Sequence, residues 1–313
     1  MKTLFSTISI ILMVSGFSAC TLVKVNITEE IQPLEERVLS GEGHDKILVI
    51  DLSGIISSQD GTSGVSGKKR VGLIARMREE LDRARTDKTV KAVVLRINSP
   101  GGGVTASDML FHELSVFKRE TGVKVIAHIM DVGASGAYYA ALAADRITAQ
   151  PTSITGSIGV IMVHVDATGL MQKIGLQTFE IASGERKGMG SPFRVMSPED
   201  RKIFQGMIDS AYDRFVTIVS AARKLPPETV RKIADGRIYT SQEAKDNGLI
   251  DGIGYLEDAL GAAKKEAGLA QARVVTYYRP GDYRANLYSM SLINIDLGEM
   301  MEPGAKFLYL WWP

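Results

Sequence analysis

From Lys46 onward, short apolar β-branched runs alternate with stretches that carry apolar residues at helical spacing. That alternation restricts the chain to an α/β fold with a largely parallel sheet. Ile47–Leu52, Val90–Ile97 and Val123–Met130 read as strands, and Val71–Ala84 and Val104–Lys118 as helices between them. Ala134–Ala144 is small and helix-favouring, and it begins at a serine. Farther on, Ser157–Val165 reads as a strand and Ala167–Ile174 as a short helix. Ser197-Pro-Glu-Asp200 is a helix start: a capping hydroxyl, a proline at the first helical position and an acid facing the dipole. Behind it Ile203, Phe204, Met207, Ile208, Ala211, Phe215, Ile218 and Val219 form one apolar stripe, which Pro226-Pro227 ends. Ser241–Asn247 is another short helix with Gly248 as its C-cap. The Gly/Ser-rich stretch Ser53–Gly67 reads as a mobile, substrate-facing loop.

A chain of 313 residues, 45% hydrophobic and 23% charged, can bury a large core. Its net charge of +1 has no basic stripe, which argues against a nucleic-acid partner. One cysteine excludes an internal disulfide, and no Cys/His cluster suggests a metal or other cofactor. Residues 1–19 have the anatomy of an export signal: Lys2, an apolar run from Leu4 to Val14, then small residues. Phe17-Ser-Ala-Cys20 resembles a bacterial lipobox, which implies cleavage before Cys20 and acylation of its thiol. Residues 20–45 then read as a tether, 46–268 as the catalytic domain and 269–313 as a C-terminal extension. That extension ends in Phe307-Leu-Tyr-Leu-Trp-Trp-Pro313, an apolar tail expected to dock on its own core, on a neighbouring subunit or in the substrate groove.

Three stretches carry chemistry. Ser135, in Gly133-Ala-Ser-Gly-Ala137, directly follows a loop and opens a helix whose dipole and free N–H groups favour developing negative charge. The stretch lacks the second glycine of the hydrolase elbow G-x-S-x-G. Asn98-Ser-Pro-Gly-Gly-Gly103 exposes successive backbone amides after a strand, and the amides of Gly102 and Gly136 suit an oxyanion hole. Gly101-x-Gly103-x-x-Ala106 also fits a dinucleotide fingerprint, but the strand before it is not the first of the domain. Lys187, in the glycine-rich loop Gly184–Arg194, is a candidate base. A lysine brought from its free pKa of about 10.4 to about 7–8 costs roughly 3–5 kcal/mol. The competing base is His164, 29 residues after Ser135, oriented by Asp209 or Asp213. His128 is mid-strand and reads as core or sheet surface.

Four motifs in order, Asn98–Gly103, Ala134-Ser-Gly-Ala-Tyr-Tyr139, Thr155-Gly-Ser-Ile-Gly-Val160 and Gly188-Met-Gly-Ser-Pro-Phe-Arg194, resemble signal peptide peptidase A. These are the serine-lysine peptidases of the ClpP/crotonase superfamily (peptidase family S49), here in the short, single-repeat form. The resemblance implies a ClpP/crotonase-like fold of repeated β-β-α units in a single domain. It implies Ser135 as nucleophile, Lys187 as general base, Ser157 orienting the lysine, and Gly102 with Gly136 as oxyanion donors. It also implies a homo-oligomeric ring, an octamer for example, in which neighbouring subunits share each site. Substrates would be cleaved signal peptides and other apolar peptides at the extracytoplasmic (periplasmic) membrane face. Ala137 departs from relatives with a second glycine, and its methyl would narrow the pocket. Two other readings use the same parts: an acyl-CoA hydratase or hydrolase, and a non-catalytic membrane scaffold.

Overall fold

A computed structural model describes residues 32–58, 61–63, 68–280, 286–289 and 306–311. The export signal, Cys20 and the first part of the expected tether lie outside the described residues. Central to the fold are three parallel strands, β2 (Lys46–Ser53), β5 (Val90–Ser99) and β7 (Lys124–Ala134). Among the described residues the main sheet runs β1 (Glu35–Ser40), β13 (Arg273–Tyr278), β2, β5, β7, β8 (Arg146–Ala149), β12 (Gly252–Ile253). The far end of β7 also pairs with β9 (Ile154–Gly156), which in turn pairs with β11 (Ile238–Thr240). The helices are α1 (Leu73–Thr86), α2 (Val104–Thr121), α3 (Gly136–Ala141), α4 (Thr168–Lys173), α5 (Pro198–Arg223), α6 (Pro227–Ile233), α7 (Ser241–Asp246) and α8 (Leu256–Glu266).

The central strands are apolar at consecutive positions because both faces of the sheet are covered. One face (Leu48, Ile50, Val93, Leu95, Val125, Ala127) packs with Met77 and Leu81 of α1, Leu110 and Leu114 of α2, and Tyr138 and Tyr139 of α3. The alternate residues Ile47, Val49, Ala92, Val94 and Ile126 meet Leu256, Ala259, Leu260 and Ala263 of α8. Each such aliphatic side chain contributes roughly 1.5–3 kcal/mol on burial. A charged pair crosses this apolar sheet: Arg96 Nε stands 2.7 Å from Asp51 Oδ1, both nearly fully buried, and the guanidinium also donates to the Ser289 carbonyl at 2.8 Å.

Several expectations are corrected. Ser157–Val165 is not one strand: β9 stops at Gly156, Ser157 has φ 49°, and pairing resumes only at β10 (Ile161–Val163) in a second sheet. A left-handed residue cannot continue a pleated strand. The helix expected over Ala134–Ala144 is shorter, because β7 runs through Ala134 and Ser135 only caps the helix. The main sheet extends beyond 46–268 on both sides. Residues 35–40 pair antiparallel with 273–278, and β13 adds in parallel to β2. In α5, Phe204, Phe215 and Val219 are buried as the stripe requires, but Met207 is 46% exposed. Within the expected loop 53–67, Ile56 bridges Gly102 and β3 (Gly61–Ser63) pairs with β4 (Lys68–Arg70). The apolar tail forms β14 (Lys306–Leu310) between β6 (Gly101–Gly103) and β10.

Candidate active site

Parallel strands deliver their following loops to one edge of a sheet, where α/β proteins place ligands. Ser99 of β5 registers with Gly133 of β7, so the glycine strand β6 and the turn at Ser135 emerge side by side. Ser135 sits between strand and helix at φ 52° and ψ −116°, outside the regions an L-residue normally occupies. Such a conformation costs on the order of 1–3 kcal/mol. It is held by its amide donating to the Gly156 carbonyl at 2.8 Å and its carbonyl accepting from the Tyr139 amide at 2.8 Å. The geometry is therefore a strand–serine–helix elbow, although the sequence lacks the second elbow glycine. Ser135 Oγ is buried and has no hydrogen-bond partner among the described residues.

Glycine is required by close backbone approach at three positions. A Cβ on Gly136 would lie 2.2 Å from Ser107 Oγ. One on Gly102 would lie 2.1 Å from the Ile56 carbonyl oxygen, and the flanking bonds Ile56 N–H to Gly101 O and Gly103 N–H to Ile56 O are both 2.8 Å. A Cβ on Gly101 would lie 2.7 Å from the Gly136 nitrogen, so the two candidate oxyanion segments touch. Ala137 is fully buried and belongs to the main core.

Ser157, also at positive φ, donates its amide to the Arg237 carbonyl at 2.7 Å. It follows β9 directly and is nearly buried. Lys187 lies in a turn where its amide donates to Gly184 O, and its side chain is exposed. Within one chain neither Lys187 nor Ser157 hydrogen-bonds Ser135, whose hydroxyl is unpartnered. The loop is anchored on both sides of the lysine: Arg186 and Arg194 both pair with buried Asp200, in the first turn of α5. The proximity of Arg194 holds that carboxyl below its ordinary value despite the opposing effect of burial. Sequence reasoning did not single out Asp200 as an anchor, because its role depends on where the loop folds back.

The histidines are not engaged with the serine. His164 Nε2 is buried without a partner, and Ser135 Oγ accepts from no imidazole. His128 lies within β7, its Nδ1 2.9 Å from Thr148 Oγ1, and burial lowers its pKa to about 4. The glycine strand β6 is hydrogen-bonded to β14 and bridged to Ile56.

A model of peptidase family S49 matches residues 118–270. A protein of Enterococcus faecium with the provisional name signal peptide peptidase SppA is 37% identical over 243 residues, 78% of this chain and 70% of that protein. Protease 4 of Salmonella typhi is 36% identical over 225 residues, covering 72% of this chain and 35% of its own length. The chloroplastic serine protease SPPA of Arabidopsis thaliana is 33% identical over 235 residues, 75% of this chain and 34% of that one. The chain thus spans about a third of these two longer relatives. It belongs to peptidase family S49 and is a serine peptidase.

Proposed function

We propose that the chain is a membrane-associated endopeptidase that cleaves remnant signal peptides and other apolar peptides through a Ser-Lys dyad. The observation that carries this reading is Ser135: strained, buried, unpartnered, and set beside two glycine amides. Its hydroxyl attacks the scissile carbonyl while a neutral Lys187 amine takes the proton. The oxyanion is received by the amides of Gly102 and Gly136, and one such donor is worth roughly 3–4 kcal/mol. Lysine returns the proton to the leaving amine, and water then hydrolyses the acyl-enzyme by the same base. Ser157 orients the lysine by hydrogen bonding to its amine.

The lysine is supplied by a second subunit. Among the described residues the amine has no hydrogen-bond or ion-pair partner, and the segment carrying it is unusually apolar for a free surface. Phe179 is 86% exposed, Ile181 is fully exposed, and Val195 is 70% exposed. A cluster of this kind marks an interface, and a ring of copies would cover it while bringing Lys187 to the neighbouring Ser135. An N-terminal tether at acylated Cys20 would hold that ring at the extracytoplasmic membrane face, where cleaved signal peptides remain.

Ser135→Ala and Lys187→Ala variants, each assayed on a fluorogenic apolar peptide, test the dyad. Each alone is inactive, whereas a reassembled equal mixture recovers about a quarter of wild-type turnover, since that share of interfaces pairs both intact residues. No recovery would place both residues in one subunit; activity in Lys187→Ala alone would transfer the base to His164.

A further inference from the structure

A buried carboxylate beside the lysine loop ties that loop to the rest of the fold. Asp200, the third residue of α5, is 1% exposed. The helix dipole favours an acid in the first turn, but that role needs no burial. Glu199, its neighbour in the same turn, fills it from an exposed position. Asp200 instead divides its two oxygens between two arginines of the preceding loop. Oδ2 pairs with Arg194 Nη2, and Oδ1 stands 3.6 Å from Arg186 Nη1. Arg186 immediately precedes Lys187, and Arg194 closes the loop.

The lysine turn has few other supports. Its hydrogen bonds run within the loop: Lys187 N–H to Gly184 O at 3.0 Å, Met189 N–H to Arg186 O at 3.1 Å and Ser191 N–H to Gly188 O at 3.0 Å. Downstream of the lysine, the Ala167 amide donates to the Pro192 carbonyl at 2.8 Å, and Thr178 Oγ1 donates to the Phe193 carbonyl at 3.2 Å. Upstream there is no counterpart. Among the described residues, no hydrogen bond ties residues 179–187 to a helix or strand, and Arg186–Asp200 is the one ion pair that does so.

A lysine base depends on such support more than most groups. Its ammonium ends a flexible four-carbon stem, with no rigid shape to fix its direction. A base must come within hydrogen-bond reach of the proton it takes, so the place of its backbone decides whether it arrives. Arg194 alone would leave Lys187 on a turn hinged at one end. Adding Arg186 fixes both ends against one buried point.

We propose that Asp200 is a positioning residue for Lys187, a buried anchor that clamps the lysine turn to α5 on both sides and so presents the amine to Ser135. This rests on the Ser-Lys reading above and adds the group that holds its base in place. Asp200 takes no proton and contacts no reacting atom. It acts through the loop, whereas Ser157 acts on the amine itself.

The test uses the full-length chain and the fluorogenic apolar peptide, with reactive sites counted by complete labelling of Ser135 with a fluorophosphonate. Asp200→Asn keeps the shape of the side chain and removes its charge. It should lower kcat about tenfold to a hundredfold, the loss expected for a base misplaced by up to about 1 Å. KM should stay within about twofold, and the number of labelled sites should not change, because the loss lies in the reacting step. Hydrogen exchange should quicken at residues 184–191 and not in the body of α5. Arg186→Gln alters only an exposed side chain and should lower kcat roughly threefold to fivefold. If Asp200→Asn does not fold, Arg186→Gln decides by the same readings. An unchanged kcat, or a loss matched by fewer labelled sites, would overturn the inference and leave Asp200 a purely stabilising residue. Lys187→Ala is the control. Full turnover in that variant would count against the dyad, whereas an inactive Lys187→Ala beside a fully active Asp200→Asn would count against the clamp alone.

Discussion

The Ser135 amide donates to the Gly156 carbonyl at 2.8 Å, which ties the strained serine to the residue immediately before Ser157. Two left-handed serines are thus joined through one hydrogen bond at the end of the parallel sheet. Gly156 is itself at φ 86°, and a Cβ there would lie 2.6 Å from the Tyr239 ring. Gly156→Ala should therefore displace both serines and cost turnover far more than Ser157→Ala does. Comparing kcat of the two folded variants checks this.

Strain at Ser135 predicts a stability gain on its removal. Ser135→Gly accepts φ 52° without a Cβ clash and removes an unpartnered buried hydroxyl. After the backbone entropy of the added glycine, a net gain of about 1 kcal/mol remains. That should raise Tm by about 2 °C in a chain of this size while abolishing hydrolysis. A lower Tm in a calorimetric scan would mean that the serine conformation is not strained.

The residue after Ser135 is constrained on two sides. Gly136→Ala brings a methyl to 2.2 Å from Ser107 Oγ and 3.0 Å from the Tyr309 carbonyl. The amide must shift, and in its proposed role as an oxyanion donor its loss should lower kcat by about 10²–10³. Gly136→Ala with Ser107→Gly should recover part of the loss, because the second change removes the obstructing hydroxyl. A kcat measurement on the pair distinguishes a displaced amide from general unfolding.

The apolar segment around Lys187 predicts that assembly and activity fail together. Ile181→Asp places a charge on a fully exposed apolar position and should leave the subunit folded. Sedimentation should show smaller species, and peptide turnover should fall in proportion. A variant that dissociates yet keeps full turnover would require Lys187 to act within its own chain.

His128 predicts acid lability unrelated to catalysis. Burial holds its folded pKa at about 4, below the unfolded value of about 6.5. Under acid the unfolded chain binds a proton that the folded chain refuses, so stability falls as pH drops from about 6.5 to about 4. The loss approaches roughly 3 kcal/mol at the lower end. His128→Gln should flatten the slope of Tm against pH in that range.

The sequence by itself determined the parallel sheet, because Ile47–Leu52, Val90–Ile97 and Val123–Met130 are predominantly apolar on both faces of the pleat and separated by helix-spaced segments. Covering on both faces leaves such runs few alternatives. Ser135, Gly102, Gly136, Ser157 and Lys187 likewise stand out as candidates from sequence, since they lie in or beside local patterns of small residues around one functional group. Other features depended on partners far away in the chain. Nothing near Ser157 announces a left-handed residue; Arg237, eighty residues later, supplies the carbonyl that holds it. Residues 35–40 become a strand only because 273–278 offer an edge. The tail read simply as apolar, and only the slot between β6 and β10 makes it a strand with Tyr309 among the glycines. Periodicity records which faces are buried, whereas register across distant strands is fixed by the packing of the whole chain.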